Sequence, residues 1–411
     1  MPLADEGDVD TDESSILVLN AGSSSLKFAL FAAAMPVQAR LRGEVSGLGS
    51  VPHLTAHDAT GALVADHGWP TDKTAFHEVL AAVLDLVDAA PGHGRLCAVG
   101  HRIVQGGADH MAPERLTPPV LAALDALVPL DPIHMPHNLA PVHAFARARP
   151  DVPQFACFDT AFHRTMPLVA RNFALPRAIT AAGVRRYGFH GLSYEYIAGQ
   201  LALTCPALAK GRVIVAHLGA GASLCGLRGG ISIATTFGIS VLDGLVMGTR
   251  CGSLDPGVIF TLARMGHSLP DIEAMLYDRS GLLGVSGISG DVRVLLASAD
   301  RHAREAIDLF VHRLVTEIGA TAAALGGLDG IVFTGGIGEH AAIIRAEACA
   351  ALGWLGVSLD PISNAEAGAT MISRADSRVE VRVIATDEEA MIAHHVLALR
   401  ESRKGDAAGL G

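Results

Sequence analysis

The stretch Val213-Ile214-Val215-Ala216-His217-Leu218-Gly219-Ala220-Gly221-Ala222-Ser223 constrains this chain more than any other. A β-branched run enters a turn that holds two glycines, a second apolar run leaves it, and Gly229-Gly230 closes the unit. The pattern predicts strand, glycine turn, strand. Glycine lets the backbone take positive φ and lets amide N–H groups come close to an anion. The design occurs once before, where Ile16–Leu19 runs into Asn20-Ala21-Gly22-Ser23-Ser24-Ser25 and continues from Leu26 through Lys27 to Phe31. Two such units predict two related halves that grip one phosphorylated ligand between them. The earlier turn is not a P-loop: no glycine precedes Lys27, no Ser or Thr follows it, and the chain goes on as a strand.

Half of the 411 residues are hydrophobic and 18% are charged, enough for a core divided over two domains. The net charge of −11 argues against nucleic acid or an anionic membrane as a general partner, while local arginines can still bind an anionic substrate. No apolar run reaches the roughly 18 residues of a membrane helix. The first 13 residues carry six acids and no Lys or Arg, the reverse of a secretory signal, and predict a disordered acidic tail over 1–14. The six cysteines are scattered with no C-x-x-C pair, which points to a reduced, cytoplasmic protein without a zinc site or disulfide framework.

Along the chain, residues 40–70 read as short strands and 74–90 as a helix. A strand at Leu96–Val99 runs into Gly100-His101-Arg102-Ile103-Val104-Gln105-Gly106-Gly107, placing Arg102 where α/β sheets present groups to ligands. Residues 116–130 and 139–148 are helical. The H-x-x-H of His134 and His137 is interrupted by Pro136 and has no carboxylate set beside it, so it reads as structural. Gln154–Phe158 is a strand with Asp159 at its C-terminal end, a position that suits a ligand role or a helix cap. Arg185-Arg186-Tyr187-Gly188-Phe189-His190-Gly191 holds a histidine in a glycine-flanked loop beside cations, a place to meet an anion. A helix starts at Ser193, and 201–211 reads as loop. Glycines around Arg250 keep that backbone open, and Asp255-Pro256 starts a helix. Residues 258–277 and 298–326 are helical, with a polar loop at Asp291 and Arg293 before the second. The strand Ile331–Thr334 enters Gly335-Gly336-Ile337-Gly338-Glu339-His340 and a helix, a nucleotide-binding arrangement. After a strand at 381–385, Thr386 and Glu389 form a capping box on a helix running to about Ser402, which leaves Glu388 available to a metal. Glycine turns, arginines, a loop histidine and spare oxygen ligands together suit phosphoryl transfer from a nucleotide with Mg²⁺. The duplicated hairpins suggest a two-lobed, actin-like architecture.

In one order the chain carries N-A-G-S-S-S-L-K, G-H-R-I-V-Q-G-G, F-D-T-A-F-H-R-T-M-P, R-R-Y-G-F-H-G, H-L-G-A-G-A-S, G-L-V-M-G-T-R-C-G-S-L-D-P-G, F-T-G-G-I-G-E and T-D-E-E. From Ile16 to about residue 402 it resembles the acetate kinases, of the acetate and sugar kinase, heat-shock 70 and actin superfamily. The resemblance implies an α/β, two-lobed actin-like (ribonuclease H-like) fold with duplicated βββαβαβα cores. It implies an N-terminal lobe of 15–160 plus 390–403, a nucleotide-binding C-terminal lobe of 161–389 and a flexible tail over 404–411. The implied reaction is reversible, Mg²⁺-dependent transfer from ATP to acetate, giving ADP and acetyl phosphate, with Mn²⁺ as a substitute metal and a homodimer as the assembly. Asn20 and Glu388 resemble the magnesium-site residues, and Ser23, Ser25 and Lys27 the phosphate turn. Arg102 and Arg250 match the arginines that hold the carboxylate and the transferring phosphoryl group, His190 the transition-state stabiliser and Asp159 the active-site aspartate. His217, Leu218, Gly219, Ala220 and Gly221, Asp291 with Arg293, and Gly336, Ile337, Gly338, Glu339 and His340 match ATP-binding segments. Val104, Ile133, Phe189 and Val241 correspond to the small apolar acetate pocket.

Acetate is ionised at pH 7, so this nucleophile needs no general base. The obstacle is anion approaching anion, roughly 4 kcal/mol for unit charges about 4 Å apart at an effective dielectric of about 20, so arginines, a metal and a histidine donor are suited to it. Asp159 is then expected to orient a partner, in a direct in-line transfer. The chain departs from the family at Ala220, usually Asn, at His340, usually Asn, at Gln105, usually His, and at Val241, usually Pro. Propionate as acceptor is the first alternative. A catalytically weak nucleotide switch and a sugar kinase, which needs an aspartate base and a polar pocket, are the others.

Overall fold

The structure is a computed structural model that describes residues 14–22, 24–70, 74–92 and 94–408, the last six by their backbone. The acidic segment 1–13 and Ser23 lie outside the described residues. The chain forms two compact units, Met1–Ala161 with Asp387–Gly411, and Phe162–Thr386.

In the first unit the sheet is built from β1 (Ser14–Ala21), β2 (Ser25–Ala32), β3 (Ala39–Ser46), β4 (His53–Asp58), β5 (Leu63–Gly68), β6 (Arg95–Ile103), β7 (Glu114–Arg115) and β8 (Gln154–Phe158). Their order is β5-β4-β3-β2-β1-β6-β8-β7. β1 pairs antiparallel with β2, Asn20 opposite Lys27, and parallel with β6, which pairs parallel with β8. The helix Phe76–Ala89 buries Val79, Leu80, Val83, Leu84 and Val87, a stripe at helical spacing. That stripe packs with Phe145 of the helix Met135–Ala148 on Leu17, Leu19, Leu30 and Val45 of the sheet. The helix Glu388–Ala408 adds buried Ile392, Ala393, Val396 and Leu397 against β1 and β6. Gly100 of β6 makes this approach possible, since a Cβ there would stand 2.5 Å from Ile392 Cγ2 and 2.9 Å from Val396 Cγ2.

The second unit repeats the plan with β9 (Arg212–Leu218), β10 (Ala222–Arg228), β11 (Ile231–Thr235), β12 (Gly330–Thr334) and β13 (Glu380–Val383), ordered β11-β10-β9-β12-β13. Its first three strands are antiparallel, and β12 and β13 join parallel to β9, as β6 and β8 join β1. The helix Gly191–Thr204 buries Tyr194, Ile197 and Leu201 on Val213, Val215, Cys225 and Leu227. The 25-residue helix Arg301–Leu325 packs on β10, β9 and β11. Among the described residues no helix is long and apolar enough to cross a membrane.

Local readings are corrected in four places. Residues 201–211 are mostly helical, through Thr204 and again over Pro206–Ala209. The helix expected over 258–277 is two, because Ser268 and Asp271 form a capping box that starts the second. The last helix runs to Ala408, past Ser402. Its N-cap is Asp387, whose Oδ1 accepts from Ala390 N at 2.9 Å, while Thr386 Oγ1 is buried without a partner.

Candidate active site

In the first unit the C-terminal ends of β1, β6 and β8 bring together the side chains the sequence singled out. Arg102 follows the last β1-paired residue of β6, which sets it beside Asn20 at the end of β1. Asp159 follows β8 directly, is fully buried, and its N–H donates to Ile103 O at 3.0 Å. Arg102 donates to it through Nη2 at 2.5 Å and through Nε at 3.1 Å to each oxygen, a fork geometry that fixes the guanidinium. Burial works against that charge, but Asp159 and Glu388 outweigh it and hold Arg102 above the usual arginine value. Asn20 Nδ2 donates to Glu389 Oε1 at 2.8 Å and to Glu388 Oε2 at 3.2 Å, and its Oδ1 accepts from Arg102 Nη1 at 3.4 Å.

Glu389 is therefore no helix cap. Its carboxyl faces Asn20, and burial, with Glu388 beside it, pushes its pKa up. Two adjacent carboxylates are hard oxygen donors that suit Mg²⁺, while the Asn20 oxygen is turned to Arg102 and its NH2 to the carboxylates. The chemistry of this donor set fits the metal. Among the described residues there is no group of three or more His, Cys, Asp and Glu placed to hold a metal ion. His134 is turned instead to Asp131, 2.8 Å from its Oδ1.

Asn138 is a residue the sequence did not single out. It accepts from Val104 N and donates to Ala21 O, both at 2.7 Å, and so ties the end of β1 to the segment after β6. Val104 is buried and Ile133 half-buried. Gln105 folds its Oε1 onto Gly107 N at 2.8 Å, leaving Nε2 buried without a partner. Lys27 is exposed on β2, and Ser25 O accepts from Gly22 N at 2.8 Å to close the turn.

In the second unit His190 stands just before the helix Gly191–Thr204 with φ of 58°, the one positive-φ non-glycine among the described residues. The loop that holds it is pinned by His163, whose Nδ1 and Nε2 lie 2.9 Å from Ser232 Oγ and 3.0 Å from Phe189 O. Burial keeps His163 neutral, with its pKa lowered to about 4. Gly188 (φ 79°) has to be glycine, because a Cβ would lie 2.6 Å from His163 Cδ2. His190 Nδ1 is 2.9 Å from Ser223 Oγ, and its ring stacks on His217 at 4.1 Å. His217 is held in turn by Ser193 Oγ at 2.8 Å.

The turn after β9 is tight, Gly219 N donating to Gly221 O at 3.1 Å, and Gly248 N donates to Ala220 O at 3.1 Å to bring in the loop that carries Arg250. These are backbone bonds, so the turn keeps its shape with alanine at 220. A Cβ placed on Gly221 would sit 3.5 Å from both Arg250 Nη1 and His190 Nε2. Two donors thus converge on one point over a glycine turn, an arrangement for an anionic oxygen. Phe189, Phe237 and Val241 are buried close by in sequence or contact, with the two phenyl rings 5.9 Å apart. Asp291 caps its helix at Arg293 N (2.8 Å) and pairs with the Arg293 side chain. Glu339 Oε1 accepts from Gly335 N at 2.9 Å and Thr386 N at 3.3 Å, and His340 is exposed.

A five-stranded plan made twice, carrying a fixed arginine beside carboxylates in one unit and an arginine and a histidine over a glycine turn in the other, defines a phosphotransferase of the actin-like fold class. Comparison with known proteins narrows this class. The chain belongs to the acetokinase family, whose model matches residues 15–394. It is 52% identical over 392 residues to an acetate kinase of Rhodopseudomonas palustris, covering 94% of this chain and 98% of that one. An acetate kinase of Rhizobium meliloti is 47% identical over 390 residues, with 94% and 98% covered. Among solved structures, the acetate kinase of Porphyromonas gingivalis superposes with a TM-score of 0.82 and a propionate kinase of Francisella tularensis with 0.87. Each is 35% identical and covers 93% of this chain and 98% of its own.

Proposed function

We propose that this protein is an acetate kinase that moves the γ-phosphoryl group of ATP to the acetate carboxylate, reversibly and in line, giving acetyl phosphate and ADP. The observation that carries the reading is the convergence of Arg250 Nη1 and His190 Nε2 over the Gly221 turn, in a chain 52% identical to a named acetate kinase. Acetate arrives ionised, so the protein has no proton to remove. Arg102 takes the carboxylate, and Asp159, which accepts its forked contacts, serves as the anchor of that guanidinium. A carboxylate engaged by Arg102 through both oxygens is committed to that ion pair, which argues against a hydroxyl acceptor that needs it as a base. Arg250 and His190 give the transferring phosphoryl oxygens their donors as charge shifts toward the leaving group. Ser25 and Lys27, the turn His217–Gly221, Asp291 with Arg293, and the segment Gly336–His340 bind the nucleotide in this reading. Asn20 and Glu388, with Glu389 beside them, would hold Mg²⁺, which when bound neutralises phosphate charge. The setting is the cytoplasm, where six free thiols persist.

Propionate as acceptor is favoured by one observation, the superposition on a propionate kinase at 0.87. One methylene is worth only about 1–3 kcal/mol of discrimination, so the ratio has to be measured. Acyl phosphate formed from MgATP and acetate, propionate or butyrate is trapped with hydroxylamine and compared as kcat/KM. Acetate is expected well ahead. Propionate ahead overturns the choice of acid, and no product from any acid, in protein that still binds ATP, overturns the kinase reading.

A further inference from the structure

The second unit holds two hydroxyls that the proposed reaction does not use directly. Ser223 in β10 and Tyr194 in the first turn of the helix Gly191–Thr204 have no exposed surface. Tyr194 OH lies 2.5 Å from Ser223 Oγ, which lies 2.9 Å from His190 Nδ1. We infer that Tyr194 and Ser223 form a one-way hydroxyl relay that holds His190 as a neutral imidazole with its proton on Nε2. The inference rests on the reading of His190 as the donor to the transferring phosphoryl group.

The direction follows from where each proton can go. The Tyr194 hydroxyl is buried with Ser223 Oγ as its hydrogen-bond partner, and leaving its proton unsatisfied costs about 1–3 kcal/mol. Burial also holds the phenol well above the usual tyrosine value, so the proton stays on it. Ser223 Oγ accepts that proton and has one of its own, which it donates to its other partner, His190 Nδ1. A nitrogen that accepts carries no hydrogen, so the neutral ring has its hydrogen on Nε2. Nε2 is the atom that reaches the Gly221 turn beside Arg250 Nη1.

The same polarity opposes the imidazolium. A hydrogen on Nδ1 would make Ser223 Oγ the acceptor of that bond, and one buried hydroxyl hydrogen then loses its acceptor: that of Ser223 if Tyr194 still donates to the same oxygen, or that of Tyr194 if Ser223 turns to the phenol. Within this unit the titratable and charged groups facing the ring are His217 from β9, Tyr194 from its helix and Arg250 from the loop after Gly248. The guanidinium disfavours a second positive charge there. His190 is thus presented as a fixed N–H donor with no proton to give up, as a transfer to an already ionised acceptor requires. Tyr194 and Ser223 act through His190 and are positioning residues.

The test is histidine-selective ¹⁵N NMR of the full-length protein, with the His190 signals assigned by their loss in His190→Gln. Wild type is expected to show His190 protonated at Nε2 and bare at Nδ1 at neutral pH. Tyr194→Phe keeps the ring packing and leaves the place of the phenol oxygen to a water that can take the Ser223 hydrogen, so Ser223 can accept from Nδ1–H at no loss and the His190 titration midpoint should rise by about half a pH unit or more. Its kcat should fall about three- to tenfold, with both KM values within about twofold, because the lost alignment matters as charge develops. Ser223→Ala should move the His190 signals away from the wild-type pattern. A wild-type His190 protonated at Nδ1 overturns the relay, and so does a His190 titration in Tyr194→Phe that overlays wild type. These spectra need no turnover, so an inactive wild type would sink the kinase reading and leave the relay to its own result.

Discussion

At the scale of single residues, the anchor of the first cluster is open to direct trial. Asp159→Asn keeps the shape of the side chain and removes the charge that fixes Arg102. Breaking a buried ion pair costs about 3–5 kcal/mol, and the wild-type carboxyl has no exposed surface. The variant is expected to unfold at lower urea, and its kcat/KM for acetate to fall about 10²- to 10³-fold, as when one positioned donor is lost. A variant with wild-type kcat/KM would show that Arg102 needs no anchor. Arg102, Asp159, His190 and Arg250 were legible because each stands at a strand end or in a glycine-rich loop, where side-chain direction follows from the strand itself. Glu389 was not. Thr386-x-x-Glu389 has the form of a capping box, but Asp387 takes the cap and Asn20, 369 positions away, takes the carboxylate. Ser223 and Tyr194 read in sequence as ordinary members of a strand and a helix, and a pairing made across tertiary space leaves no periodic signal.

Among the elements, the helix Glu388–Ala408 has the most to do with the site, since it carries Glu388 and Glu389 at its start and lies on β6 where Gly100 leaves room. Gly100→Ala puts a methyl 2.5 Å from Ile392 Cγ2 and 2.9 Å from Val396 Cγ2. Overpacking of this kind costs about 1–3 kcal/mol. The variant is expected to melt at lower temperature and to need more Mg²⁺ for half-maximal rate, because the displaced helix moves its carboxylates. Adding Ile392→Leu removes the crowding Cγ2 branch at nearly constant volume and should recover part of both losses. An unchanged Gly100→Ala would mean that the helix does not register on this strand. The hairpins and most helices were legible, since hydrophobic period and glycine turns mark them. The break at Ser268 was missed because apolar residues continue across it, although Gly266 at φ 98°, the Ser268–Asp271 box and Pro270 in the first turn all mark the new start.

For the molecule as a whole, apolar surface left uncovered on the second unit bears on assembly. Phe260, Met265 and Leu269 are 61%, 69% and 71% exposed within a short stretch of chain. Large apolar side chains left exposed this close together in the chain are candidates for an association surface. The protein is expected to elute as a homodimer in light-scattering chromatography, and Phe260→Glu with Met265→Glu to elute as a monomer; a monomeric wild type sinks this expectation. The return of the chain to its first unit also has a consequence for how the protein is made. The strands that need Ile392 and Val396 over Gly100 leave the ribosome before the whole of Phe162–Thr386, and their covering helix leaves after it. At about 5–20 residues per second that wait is on the order of ten to forty seconds. Throughout it the nascent first unit shows an uncovered face to chaperones and proteases, and a message cut short near its 3′ end yields a protein without the carboxylates of Glu388 and Glu389.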